Sequence, residues 1–292
     1  MRVDLHTHTR ASDGTQSPTE LVSAAVAAGV DVLGVTDHDT AEGWGEAARA
    51  ADAAGLALVR GMEVSTRLDG RGVHLLAYLP DPTYPPLVAL LDRVLEGRSS
   101  RVPAVLARLR EVDVELSEDD VARVSGDAAA SGRPHIADAL VVAGEVTDRD
   151  EAFRRFLNPG MPGYVDRYAA PLRDTIRVVA EAGGVSVIAH AWGRRRTRTP
   201  DEAAIAELAD LGLVGLEVDH QDHDAGARDA LRAIARNLDL VVTGSSDHHG
   251  TGKVGHDLAC NTTAPEELER LLDAAARARA AAGRPAPEPL GL

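Results

Sequence analysis

Short apolar runs alternate with alanine-rich stretches of helical periodicity along most of this 292-residue chain. A repeated strand–helix order favours an α/β fold with a mainly parallel sheet, because each helix carries the chain back to the edge where the next strand starts. Seven such strands predict a distorted (β/α)7 barrel related to the TIM barrel, with an open doubly wound sheet as the alternative. The predicted strands cover residues 2–5, 32–36, 57–63, 72–79, 185–189, 214–218 and 240–244, and the helices between them cover 18–28, 42–54, 171–182, 201–211 and 224–237.

One long segment, residues 84–168, interrupts this order because it contains no strand pattern. Its periodicity is helical at 86–110, with a break near Gly97 or Pro103, and again at 118–124, 134–143 and 148–157. We therefore expect a helical insertion at 84–168 that contributes to the substrate pocket, and a barrel formed by 1–83 and 169–292. A last helix is predicted at 265–282, and residues 283–292, which contain three prolines, are expected to form a loose tail.

The composition limits the partners and the compartment. With 46 acidic against 31 basic side chains and a net charge of −15, the chain is a poor candidate for coating duplex DNA, which requires a basic face. A hydrophobic content of 44% excludes wholesale disorder. The single cysteine, Cys260, excludes an internal disulfide framework. No secretory signal and no apolar run of about 18 residues is present. We therefore expect no membrane partner and a cytoplasmic location.

Histidine and carboxylate side chains fall at or near the carboxyl ends of all seven predicted strands. A lone histidine in such a place is more often structural. The carboxyl ends of parallel barrel strands share one face, however, so these side chains are expected to meet in one cleft as a metal site. Without thiolates the set suits zinc, manganese or iron, and the sequence leaves that choice open. The residues concerned are His6, His8, Asp37, His38, Asp39, Glu63, His74, His190, Glu217, Asp219, His220, Asp247 and His249.

Several short motifs carry a family resemblance. They are DLHTHT at 4–9 with SDG at 12–14, VTDHDT at 35–40, GMEVS at 61–65, HLLAY at 74–78, IAH at 188–190 and GSSDHHG at 244–250. In combination they resemble the PHP (polymerase and histidinol phosphatase) metallophosphoesterases over nearly the whole chain. SGRPHIA at 131–137 is similar to the branch that contains RNase AM (TrpH-like) proteins and nucleoside 3′,5′-bisphosphate phosphatases. His248 replaces the aromatic residue usual in that branch, and Ala191-Trp192 stands where a proline is common.

The resemblance implies a trinuclear centre of divalent manganese, iron or zinc ions. It further implies that a hydroxide between the first two ions attacks phosphorus, with Glu63 and Asp247 as catalytic residues, while the third ion orients the phosphate. By motif position the first ion would be held by His6, His8, Glu63 and Asp247, the second by Glu63, His74 and His190, and the third by Asp13, His38 and His249.

Candidate substrate contacts follow from charge and from motif position. Arg133 and His135 are expected to hold a second phosphate or the leaving nucleotide, because arginine grips phosphate through two parallel hydrogen bonds. Arg194 begins an arginine-rich run at 194–198 that would steer an anionic substrate. His223 is predicted to be catalytic and to contact substrate, as a donor to the phosphate or the leaving oxygen. Lys253, the only lysine, is expected to reach the phosphate.

Two further residues, Asp37 and Asp39, are expected to support the metal ligands. Asp37 and Asp39 are expected to fix histidine rings, with helix capping by Asp39 as the alternative. His220 is expected to lie at the surface.

The leading hypothesis is a metal-dependent phosphoesterase that acts on nucleoside monophosphates or 3′,5′-bisphosphates, or on short single-stranded RNA from the 5′ end. A histidinol-phosphate-type phosphatase is the second enzyme candidate. A metal-dependent amidohydrolase is the third, although Lys253 is not placed to supply the carboxylated lysine common in that chemistry. A non-catalytic module of the kind attached to polymerases is disfavoured by the complete ligand set.

Overall fold

The computed structural model describes residues 1–193 and 200–292 and contains a nearly closed, barrel-shaped sheet. The order of neighbouring strands is β1-β2-β3-β4-β6-β7-β8, and the short β5 pairs with β3 outside this path. The predicted distorted seven-stranded α/β barrel is therefore confirmed, with one additional two-residue strand. The strands are β1 Val3–Asp4, β2 Val32–Val35, β3 Ala57–Leu68, β4 Arg71–Tyr78, β5 Ala170–Pro171, β6 Val185–Ile188, β7 Leu213–Asp219 and β8 Val241–Gly244.

The sheet closes between β8 and β1 through a few specific hydrogen bonds. The backbone N–H of His8 donates to the carbonyl of His248 at 2.9 Å. The carboxylate of Asp4, which is fully buried, accepts from the backbone N–H groups of Ser246 and Ala259 at 3.0 and 2.8 Å. These contacts hold the loops after β1 and β8 side by side.

β4 runs antiparallel to both of its neighbours, β3 and β6. The expectation that all seven strands bring their carboxyl ends to one face is therefore wrong for β4. The strands β3 and β4 form a hairpin whose two turn residues, Asp69 and Gly70, have φ of 48° and 81°, as a type I′ turn requires. Glu63 consequently lies inside β3 instead of ending it, and His74 lies in the first half of β4.

Helices cover the barrel and fill the long segment without strands, close to the predicted positions. The predicted break in the first long helix falls just before Pro103, which lies in the first turn of α4. Among the described residues, no helix is long and apolar enough to cross a membrane. The helices are α1 Pro18–Ala27, α2 Trp44–Ala54, α3 Pro85–Ser99, α4 Val102–Arg110, α5 Glu118–Ser125, α6 Arg133–Val142, α7 Arg149–Ala152 followed by a π-helical turn at Phe153–Leu157, α8 Leu172–Glu181, α9 Glu202–Asp210, α10 Ala225–Asn237 and α11 Pro265–Ala282.

The helices α4 to α7 and the π-helical turn share their own buried cluster, which includes Leu109, Ile136 and Leu157. α3 packs on the barrel instead, since its Leu87 lies in a buried cluster with Met62 of β3. The helical segment is thus bound to the barrel through its first helix.

The last residues are attached to the barrel instead of forming the loose tail that the prolines suggest. Leu290 and Leu58 exchange two backbone hydrogen bonds, of 3.0 and 2.9 Å. Arg279 of α11 also forms an ion pair with Glu288 at 2.8 Å.

Two arginines of the helical segment hold loops of the barrel. Arg98 of α3 donates through Nε to Asp39 at 2.6 Å and through Nη2 to Ser65 at 2.8 Å. Arg149 of α7 pairs with Asp138 and donates through Nη1 to the carbonyl of Asp13 at 3.0 Å. Both contacts lie next to residues of the histidine and carboxylate motifs.

We predict that Arg98→Met lowers the free energy of unfolding by about 3 kcal/mol, because it leaves the buried carboxylate of Asp39 without its cation. Urea unfolding measures the effect. Arg93→Met is the control, since this exposed arginine lies on the same helix and stacks on Tyr168. Equal, small changes for the two variants would contradict a stabilising role of the Arg98–Asp39 pair.

Candidate metal centre

Four side chains from different parts of the barrel direct ligand atoms to one point. The Nε2 atoms of His6 and His8, which follow β1, lie 3.0 Å apart. Oε2 of Glu63 lies 3.3 and 3.2 Å from these two nitrogens, and Oδ1 of Asp247 lies 3.5 Å from each. All four residues are buried. The set is the one predicted to hold the first ion.

The other oxygen of Glu63 faces a second pair of histidines. Oε1 lies 2.7 Å from Nδ1 of His74 and 3.0 Å from Nε2 of His190. Since Oε2 faces His6 and His8, the carboxylate of Glu63 stands between two groups of imidazoles. The antiparallel direction of β4 makes this possible, because His74 is paired with Ser65, two residues beyond Glu63 on β3.

A third group surrounds Asp13, which lies in the loop after His8. Nε2 of His38 lies 3.6 Å from Oδ2 of Asp13, and Nε2 of His249 lies 3.4 Å from Oδ1. Nδ1 of His8 is buried without a hydrogen-bond partner and lies 3.8 Å from the same Oδ1. The structure therefore brings all nine predicted ligands into three adjacent groups.

The charges in this cluster suit divalent cations. Burial opposes ionisation of Glu63, but the electrostatic interactions with the imidazoles of His74, His38 and His6 outweigh it and hold the pKa of this carboxyl well below its usual value. Burial lowers the pKa of His38 to about 3 and that of His190 to about 4. In His6 and His8 burial opposes protonation, but the charges of Glu217, Glu63 and Asp247 outweigh it and raise the pKa of His6, and hydrogen bonds with Asp247 and Glu63 raise that of His8 to about 9. Metal binds neutral imidazoles and ionised carboxylates, so an ion bound here would displace protons from these two rings. The orphan Nδ1 of His8 and the purely nitrogen and oxygen donor set fit manganese, iron or zinc.

Glu217 at the end of β7 orients two of these ligands. Its Oε1 lies 3.0 Å from Nδ1 of His6, and its Oε2 accepts from the backbone N–H of His190 at 2.7 Å. Glu217 is fully buried; burial opposes ionisation, yet the charge of His6 lowers its pKa to about 2. A carboxylate on Nδ1 leaves Nε2 of His6 free for a metal. The sequence showed Glu217 only as one more strand-end carboxylate.

Asp37 and Asp39 do not hydrogen-bond histidine rings. Asp37 accepts from the N–H and hydroxyl of Thr9, both at 2.7 Å, and from the hydroxyl of Ser12 at 2.6 Å. It therefore fixes the loop between His8 and Asp13. Asp39 binds Ser65 and Arg98, and α2 begins at Trp44, after Gly43, without a side-chain cap, so neither expected role of Asp39 is observed among the described residues.

A cavity of about 830 Å³ opens onto the three groups and is bordered by arginines. Burial and the neighbouring charges of Arg133, Arg167 and Arg98 lower the pKa of Arg101 to about 9, and burial together with Arg98 lowers that of Arg167 to about 10. Among the described residues, Nε of Arg101 is buried without an acceptor. The cavity thus has an excess of positive charge that a bound anion would relieve. The arginines along it are Arg71, Arg98, Arg101, Arg133, Arg149 and Arg167.

Arg133 lies in this cavity, as expected for a substrate contact. Its Nη1 donates to the carbonyl of Leu157 at 3.1 Å, and its guanidinium carbon lies 5.6 Å from the ring centre of Phe153 and 5.7 Å from that of Tyr164. The π-helical turn supplies two of these partners, Phe153 and Leu157. Arg133 is therefore held in place by its surroundings.

The other predicted contacts have different surroundings. His135 is buried, and its Nδ1 accepts from the N–H of Gly132 at the start of α6. Both nitrogens of His223 are engaged, Nδ1 with the carbonyl of Val218 and Nε2 with the N–H of Trp192. Neither histidine lines the cavity. Lys253 does, and its ammonium group contacts Asp247. Arg194 and its run lie outside the described residues.

His220 is fully buried, which corrects its expected surface position. Its Nε2 lies 3.2 Å from Oδ2 of Asp247. Sequence reasoning also missed Arg98, Arg101 and Arg167 as cavity residues. Nothing in their local pattern distinguishes them from the many surface arginines of the chain.

A nearly closed α/β barrel with buried imidazoles and carboxylates on one face belongs to the class of metal-dependent hydrolases with TIM-like barrels. The sequence profile of the PHP domain matches residues 4–125. The chain is 35% identical to a 3′,5′-nucleoside bisphosphate phosphatase of Chromobacterium violaceum, over 88% of this chain and 90% of that protein. It is 34% identical to a 5′-3′ exoribonuclease of Haemophilus influenzae, over 85% and 90% respectively.

A solved structure from Bifidobacterium adolescentis, assigned as a metal-dependent phosphoesterase, matches with a TM-score of 0.89 and 35% identity over 93% of this chain and 95% of that one. The chain belongs to the PHP family, and it is a metal-dependent phosphoesterase. The resemblance drawn from the motifs is confirmed.

Glu217→Gln is expected to weaken Mn²⁺ binding by about 10- to 100-fold, the usual loss when a group that orients a metal ligand is altered. The substitution keeps the shape of the side chain and removes the charge opposite His6. Titration of metal-stripped protein with Mn²⁺ measures the affinity. Glu207→Gln is the control, since Glu207 is exposed and, among the described residues, forms an ion pair with Arg173 far from the ligand groups. Unchanged affinity in Glu217→Gln would contradict the orienting role.

Proposed function

We propose that the protein hydrolyses a phosphate ester at the 3′ position of a nucleotide that carries a second phosphate at its 5′ end. Both a nucleoside 3′,5′-bisphosphate and the 5′-terminal nucleotide of a short single-stranded RNA have this arrangement. The observation that carries the proposal is the single cavity that joins the three ligand groups to the arginines Arg101, Arg133 and Arg167.

The nine proposed ligands, of which His74 and His190 are partly exposed and the other seven are buried, would hold three divalent ions. His6, His8, Glu63 and Asp247 would surround the first, His74 and His190 would share Glu63 for the second, and Asp13, His38 and His249 would surround the third. Bound there, the ions would supply an activated nucleophile and neutralise phosphoryl charge. The distances between the ligand atoms of each group support this assignment.

The residues of the chain position the substrate. Arg133, fixed by Leu157, Phe153 and Tyr164, presents a planar guanidinium to the second phosphate. Arg101 has an unsatisfied donor and no carboxylate within ion-pair distance among the described residues, so a phosphate dianion is its natural partner. We propose that residues 84–168 act as the substrate-binding insertion of the barrel, since they supply five of the six cavity arginines, and two of these, Arg98 and Arg149, also brace the ligand loops.

The relatives support this choice over histidinol phosphate, which lacks a second phosphate. One matched relative is a 3′,5′-nucleoside bisphosphate phosphatase and another is a 5′-3′ exoribonuclease. One binding mode serves both activities, since the 5′ phosphate would occupy the arginines and the 3′ ester would face the ligand groups. The lone, exposed Cys260 is consistent with the reducing, cytoplasmic setting that we also propose.

A substrate panel tests the proposal. We expect Mn²⁺-loaded protein to turn over adenosine 3′,5′-bisphosphate and short 5′-phosphorylated RNA with a higher kcat/KM than adenosine 3′-monophosphate or histidinol phosphate. A preference for histidinol phosphate would overturn the assignment.

Arg133→Met is predicted to lower kcat/KM for adenosine 3′,5′-bisphosphate by about 10- to 100-fold, the loss of one hydrogen-bonded contact to a charged group. Activity on p-nitrophenyl phosphate, which has no second phosphate, should change little. Steady-state kinetics on both substrates give the comparison. An equal loss on both would show that Arg133 does not bind the second phosphate.

His249→Ala is expected to remove one equivalent of bound metal and to reduce turnover strongly, because Asp13 and His38 alone make a poor site. Elemental analysis of the purified variant counts the ions. Full metal content with near-normal phosphatase activity would overturn the three-ion assignment.

A further inference from the structure

The two oxygens of Asp247 have different partners. Oδ1 faces Nε2 of His6 and of His8, both at 3.5 Å, and Nδ1 of His249 at 3.4 Å. Oδ2 faces Nε2 of His220 at 3.2 Å and the ammonium group of Lys253. One oxygen therefore belongs to the ligand cluster, and the other belongs to a second set of side chains behind it.

The tautomer of His220 is fixed by the backbone. The N–H of Asp222 donates to Nδ1 of His220 at 3.0 Å, so Nδ1 is an acceptor and the proton of the neutral ring is on Nε2. That proton points to Oδ2 of Asp247. The turn itself is anchored to α10, because Nη2 of Arg228 donates to the carbonyl of His220 at 2.8 Å.

We propose that His220 is a positioning residue that holds Oδ2 of Asp247, so that Asp247 presents only Oδ1 to the metal site. Lys253 occupies the same oxygen and reinforces this division. The inference rests on the proposed metal binding by His6, His8, Glu63 and Asp247. A carboxylate that is free to rotate would offer either or both oxygens, and the ligand geometry would lose its definition.

The alternative to a positioning role is direct metal binding, because the ligand atoms of His220, Asp247 and His256 lie close enough together to hold a cation. The ammonium group of Lys253 lies against Asp247 at this place and supplies a cation already. A positively charged side chain disfavours a metal ion at the same oxygen. The geometry therefore favours His220 as a hydrogen-bond donor to Asp247 over His220 as a ligand of an additional metal ion.

The test compares metal-stripped wild-type protein with His220→Ala, His220→Gln and His223→Ala. The amide of glutamine can place an N–H donor near the position of Nε2. His223 lies in the same turn and is also buried, but its two nitrogens bind backbone groups, and it makes no contact with Asp247 in the part of the chain that the structure describes. Mn²⁺ is added in steps, and free Mn²⁺ is followed by its electron paramagnetic resonance signal.

We expect His220→Ala to weaken Mn²⁺ binding by about 10- to 100-fold with the number of bound ions unchanged. His220→Gln should recover most of the affinity, and His223→Ala should stay within about threefold of wild type. Wild-type affinity in His220→Ala, equal losses in His220→Ala and His220→Gln, or an equal loss in His223→Ala would each overturn the positioning role. Loss of one whole equivalent in His220→Ala would overturn it in favour of direct ligation. Failure of the wild type to bind Mn²⁺ would instead refute the proposed function.

Discussion

The rest of the site depends on the contacts between the carboxylate of Glu63 and the histidines around it. An ionised carboxyl group without solvent is stable only with opposite charge around it. Its two oxygens face histidines that come from the loop after β1, from β4 and from the end of β6. The residues around Glu63 are in turn held by further carboxylates. Glu217 orients His6, and Asp37 holds the loop before Asp13. Glu63 is thus held by histidines, and the ligand loops are held by the carboxylates of Glu217 and Asp37.

The arginines along the cavity place positive charges close together, and these charges need anionic partners. Arg98 and Arg149 have carboxylate partners, Asp39 and Asp138, and use them to brace the ligand loops. Among the described residues, Arg101 has a buried Nε without an acceptor, and its pKa is lowered by burial and by the neighbouring arginines, so a bound phosphate would relieve this repulsion. The net charge of −15 does not oppose this, because exposed acidic groups beyond about 8–10 Å are screened by salt while the cavity charges are close to the substrate. A small anionic substrate is therefore compatible with the acidic surface.

Sequence reasoning predicted the fold from the order of strands and helices along the chain, and the motif resemblance supplied the proposed metal ligands. Strand ends that share a face bring His6, His190 and Asp247 together whatever the details of packing. The antiparallel direction of β4 could not be predicted from the sequence, because the alternating apolar pattern of a strand is the same in both directions. The Asp69-Gly70 pair was the available signal for a hairpin. Arg101 and Arg167 could not be placed, because they meet only through the packing of helices distant in sequence.

The position of one proposed ligand, His74, depends on the register in which β3 and β4 pair. Most ligands are set by loops, which tolerate small shifts, but His74 is set by strand register through its pairing with Ser65. Successive side chains of a strand point to opposite faces, so a slip of one residue would turn His74 out of the cluster entirely. The turn at Asp69 and Gly70 touches no metal ligand, yet correct closure of this turn during folding decides whether the site is assembled or inert.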